Sequence, residues 1–139
     1  MTLPEWIAYY NQKNPQDPFV RNEMFDLFFR TDQGFCEVLF LAHMVIFGQT
    51  AGNARFFRDC VEEIARALHV KEGGAICIRR EIRAYIRLFG YRVLRMEELS
   101  DGLKRYHCIH KERGTWALLS PAFTYDTTGE TAYFVTWEI

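Results

Sequence analysis

The change of period at Gly90 constrains the fold most. Ahead of it apolar residues recur at helical spacing; beyond it they alternate as in strands. Tyr91–Met96, Lys104–His110, Thr115–Leu119 and Thr131–Ile139 read as four strands, punctuated by Ser100-Asp101-Gly102, Glu112-Arg113-Gly114 and Asp126-Thr127-Thr128-Gly129. Upstream, Thr2 and Glu5 have the spacing of a capping box and predict a helix from Leu3 to about Gln12. Asp17 and Pro18 predict the start of a second, reaching about Arg30. Phe35–Phe47 is apolar nearly all round and too long for a typical strand, which predicts a buried helix that includes His43. Asn53 predicts the cap of a fourth helix, and a fifth runs over about Ala75–Phe89 to a stop at Gly90. The expectation is one α+β domain over residues 1–139: about five helices, then a three- or four-stranded antiparallel sheet.

Residues 61–80, VEEIARALHVKEGGAICIRR, hold the densest pattern. They read as two helices joined by a tight turn. Ile64, Leu68 and Val70 are placed to fill the angle between them, Ala65 is small enough for a close crossing, and Ile78 anchors the second helix. This arrangement resembles the helix-turn-helix and winged-helix DNA-binding proteins, over about a seventh of the chain. The resemblance implies a winged-helix-like fold, the hairpin Lys104–Leu119 as its wing, and double-stranded DNA as partner. Three features depart from the pattern. His69 stands where related motifs carry Gly. Gly73 and Gly74 would fall in the first turn of the recognition helix, at about 1 kcal/mol each relative to Ala. Ile76 and Cys77 would face the bases, and neither donates a bidentate hydrogen bond.

Arg79, Arg83 and Arg87 form a row at helical spacing, joined by Arg80 and followed by Arg92 and Arg95; only Glu81 opposes these six arginines between residues 79 and 95. On a chain of net charge −1, that is a local electropositive patch. The same net charge argues against non-specific coating of nucleic acid. Lys71, Arg79, Arg80, Arg83, Arg87, Arg92 and Arg95 are the candidate binding residues, for phosphates or for the carboxylates of an acidic protein surface. Twelve Phe, seven Tyr and three Trp support a second reading, since interfaces favour arginine and aromatic anchors. In that reading the protein is an adaptor or small inhibitor docked on a larger protein. Phenylalanines of Phe19–Phe47 beyond what one domain buries would form a homodimer face, and Trp116, Tyr125, Tyr133 and Trp137 an aromatic face on the sheet.

No constellation predicts catalysis. Gly48–Gly52 lacks the lysine of a phosphate loop, and no nucleophile lies beside a base. His107, Cys108 and His110 invite a metal, but on a strand His107 projects away from the other two, so no metal or cofactor is expected. Met1–Glu5 carries no basic or apolar leader, and no run is long enough to span a bilayer. Four widely spaced cysteines, with Cys36 and Cys60 on faces that read as buried, fit reduced thiols in the cytoplasm.

Overall fold

The computed structural model describes Met1–Ile139. It holds three α-helices and eight strands, in two compact units, Met1–Lys71 and Glu72–Ile139. The expectation of five helices followed by a small winged-helix-like sheet is overturned, because two of those helices are strands or loop and a third begins as a strand.

In the first unit, α1 (Leu3–Lys13) forms as predicted. Thr2 Oγ1 accepts from the Glu5 amide while Glu5 Oε1 accepts from the Thr2 amide, closing the capping box. The chain then runs through a loop, not a second helix, into β1 (Asp26–Arg30), β2 (Gly34–Phe40) and β3 (Val45–Gly52), an antiparallel sheet with β2 in the middle. Phe35–Phe47 is therefore two strands and a turn, and His43 lies exposed in that turn. Gly34 to Val38 are buried one after another. A strand covered on both faces has no polar side to reveal its period of two, and in sequence it looks like a buried helix. Tyr10 of α1 meets Phe35 and Ala51 in a core cluster with Trp6, Ile7, Phe19 and Leu27 packed around it. The opposite face, with Cys36 and Val38, is left to α2 (Ala54–Ala67), which also packs on β2 and β3.

Asn53 caps α2, its Oδ1 accepting from the Phe56 amide, a contact worth about 1 kcal/mol. Phe57, Val61 and Ala65 form the buried side of the helix, while Ile64 and Leu68 are exposed. At its end the His69 amide donates to the Arg66 carbonyl and the Val70 amide to the Ala65 carbonyl, with His69 at φ 61°. These two bonds satisfy the last carbonyls of a helix. What reads as the turn of a helix-turn-helix is a helix ending.

The second unit begins with β4 (Glu72–Ile78), where the resemblance placed the start of a recognition helix. A 3-10 turn (Arg79–Glu81), α3 (Ile82–Leu88), β5 (Tyr91–Glu98), β6 (Lys104–His110), β7 (Trp116–Thr124) and β8 (Thr131–Glu138) follow. The sheet is antiparallel, ordered β4-β8-β7-β6-β5, so the four strands read after Gly90 are joined by a fifth. Gly73 explains why β4 is a strand. It pairs with Trp137, and a Cβ there would lie 2.3 Å from the indole. The glycine leaves room for a ring; it does not loosen a helix. Cys77, Tyr91, Cys108, Ala117, Leu119, Tyr133, Val135 and Trp137 make up the buried side of this sheet. Tyr133 and Trp137, expected on an aromatic surface, are core. α3 packs on β4 and β5 with Ile82 and Ile86 buried. No helix of the chain is long and apolar enough to cross a membrane.

Candidate functional site

The six candidate arginines do not form one patch. Lys71 ends the first unit, whereas the six arginines belong to the second. Arg79 and Arg80 lie on the 3-10 turn, Arg83 and Arg87 on α3, and all four are exposed. With Ile82 and Ile86 turned inward, Arg83 and Arg87 stand toward the outer side of α3, and Arg79 is exposed at the start of the 3-10 turn. The ion pairs of this unit are Arg80 with Glu130, Arg105 with Glu97, and His107 with Glu97, so these three arginines are left without a carboxylate. Arg80 is tied by Glu130 to the approach to β8. Ala84 and Leu88 are exposed along the same ridge, Leu88 by 46%.

Arg92 and Arg95 are elsewhere. Their cross-strand partners are Ile109 and His107, which places them on the face opposite Tyr91 and Cys108. On this open face Arg95 Nη2 lies 3.1 Å from His107 Nε2, which lies 3.2 Å from Glu97 Oε1. Arg105 donates from Nη1 to the same carboxylate oxygen at 3.0 Å and from Nε to Ser120 Oγ at 3.1 Å. One imidazole nitrogen cannot donate to Glu97 and accept from Arg95 at once, so the two compete for it. The hydrogen bond from His107, then that from Arg105, hold the Glu97 carboxyl below the usual range. Arg105→Ala is therefore expected to raise the Glu97 titration toward an ordinary glutamate, as read by carboxyl NMR; an unmoved midpoint would remove Arg105 as a cause. Because the folded value is depressed, these contacts stabilise above the ordinary glutamate range and are lost as pH falls through that of Glu97. Solvent screening keeps the effect on stability small.

His107 does face away from Cys108 and His110, as strand alternation requires. His110 Nδ1 accepts from the Glu112 and Arg113 amides and so organises the β6–β7 turn. No three His, Cys, Asp or Glu side chains gather as a metal-ligand set. All four cysteines are free, and Cys60, read as buried, is exposed. Burial pushes the thiols of Cys36 and Cys77 up to about 12 and that of Cys108 up to about 11.

Two features of the first unit escaped sequence reasoning. An open cleft of about 650 Å³ is lined by Arg21, Glu37 and Gln49 among others. Its polar groups hold the loop before β1: buried Glu37 accepts from Arg21 Nη1 at 3.0 Å and from the Asn22 amide, while Gln49 Nε2 donates to the Asp17 and Pro18 carbonyls. The second feature is the turn from β3 into α2. Its first helical turn carries no acid, Arg55 is exposed there, and the Arg30 guanidinium lies 5.3 Å from the Phe56 ring centroid. Open amides and the helix dipole suit phosphate or carboxylate at such a turn. Asn53 already occupies the Phe56 amide, so the turn is first a cap. No protein-family model, curated protein or solved structure matches the chain.

Proposed function

We propose that this protein acts by docking, presenting Arg79, Arg83 and Arg87 to an acidic surface of a partner protein in the cytoplasm. The observation that carries this reading is that Arg79, Arg83 and Arg87 are all exposed on the 3-10 turn and α3 with no carboxylate bound to them. A ridge of that kind has charge to offer rather than charge already neutralised. Exposed Ala84 and Leu88 add apolar contact, and arginine beside apolar groups is a composition that interfaces favour. The net charge of −1 supports a local, complementary contact over general attraction to polyanions. Three buried free thiols fit a reducing compartment. Arg80 shapes the ridge through Glu130; Arg92 and Arg95 lie outside the contact.

Binding of poly-glutamate and of a short DNA duplex, measured in parallel across a salt series, tests the reading. Poly-glutamate is expected to bind, and the double variant Arg83→Ala/Arg87→Ala to weaken that binding about tenfold. Its melting temperature should hold, since both side chains are exposed. Unchanged affinity in the variant would overturn the ridge as the contact. Tighter binding of duplex, lost in the same variant, would overturn the acidic protein in favour of nucleic acid.

A further inference from the structure

We infer that β5 is a pairing edge for a second copy of this chain. β5 is the last strand of its sheet, with β6 on one side and no strand on the other. Arg92 to Met96 are exposed in succession, with Leu94 at 56% and Met96 at 52%. An edge with three exposed apolar side chains, Val93, Leu94 and Met96, is open to another strand.

The sequence of the edge is complementary to itself. In an antiparallel copy aligned about the Leu94–Arg95 step, Arg92 lies opposite Glu97 and Val93 opposite Met96. The register with β6 shifts at a bulge between Val93 and Arg95, and that shift is what lets each pair meet on one face. Arg92 and Glu97 oppose Ile109 and Arg105 on the open face; Val93 and Met96 oppose Cys108 and Tyr106 on the other. Both existing contacts of Glu97 use Oε1, which leaves Oε2 for an incoming guanidinium. Two-fold symmetry makes each contact twice. Moving the copies so that Arg95 sits on the axis would oppose it to itself, and like charge rejects that register.

A single pair of strands covers less than the roughly 1,200–2,000 Å² of a standard stable interface, so the dimer is weak and concentration-dependent. Sedimentation velocity of the full chain should show a monomer–dimer equilibrium with a dissociation constant on the order of 100 μM. Arg92→Glu, which sets Glu against Glu97, is expected to weaken it about tenfold. The mixture of Arg92→Glu with Glu97→Arg should dimerise more tightly than either variant alone, because one ion pair keeps its sign and the other re-forms with its sign reversed. Val93→Glu mixed with Met96→Lys gives the same readout without disturbing the Glu97 network. A chain that stays monomeric throughout, or a dimer indifferent to Arg92→Glu and Val93→Glu, would overturn the inference. Arg83→Ala/Arg87→Ala should leave the dimer unchanged, which keeps its failure distinct from failure of the docking ridge.

Discussion

Trp137→Ala is expected to destabilise the chain by about 3–5 kcal/mol, the range for deleting a buried aromatic ring. Trp137 is 1% exposed and lies between two cross-strand partners, Gly73 on β4 and Ala117 on β7. Both partners are too small to close over the void its loss would leave. The same contact read from the other side makes Gly73→Ala disruptive. The added methyl would stand 2.3 Å from Cε2 and 2.4 Å from Cζ2 of the indole. A ring held inside a core has no solvent to move into, so overpacking should cost about 1–3 kcal/mol or more. The two substitutions are coupled, and that is the sharper result. In the Trp137→Ala background Gly73→Ala should lose most of its cost, with an interaction energy of about 1 kcal/mol or more in urea denaturation. Additive costs would show that the ring does not rest on Gly73.

Gly52→Ala should cost about 3 kcal/mol or more, for a reason of a different kind. Gly52 pairs with Gly34 and takes φ +93°. A methyl there would strike the Gln33 carbonyl oxygen at 2.1 Å, and this is backbone held in place by the Asn53 amide, which donates to that oxygen at 2.8 Å. Neither side can give way. Gly129→Ala is the control. It shares a positive φ, +71°, but nothing lies within 4 Å of its added methyl. It should cost only about 1 kcal/mol, the left-handed conformation alone. Similar losses at the two positions, by thermal or urea melts, would mean that the close approach of the Gly34–Gly52 backbones is not what selects glycine.

These glycines also show where the sequence was opaque. Gly73 looks like a weak helix start because nothing nearby announces the tryptophan 64 positions later that needs the space. β2 hides for a related reason: buried on both faces, it lacks the alternation that β7 and β8 carry. Asp17-Pro18 has the chemistry of a helix start, yet Asp17 is engaged by the Tyr10 hydroxyl and its carbonyl by Gln49. Signals that close within a few residues came through intact, among them the Thr2–Glu5 box and the Asn53 cap. The candidate site divides in the same way. Arg83 and Arg87 were legible as one row because helical spacing is local. That Arg80 meets Glu130, and that Arg92 and Arg95 stand on the open face of the sheet, depends on cross-strand register and on a partner 50 residues away.

Site-specific photo-crosslinking tests most directly whether the α3 ridge is the docking surface. A benzophenone side chain at exposed position 84, between Arg83 and Arg87, should capture poly-glutamate, and capture should fall as salt screens the arginines. The same group at position 118, on the open face of the sheet, should capture little. Capture from 118 with none from 84 would contradict the ridge and move the contact to the face that carries Arg92 and Arg95.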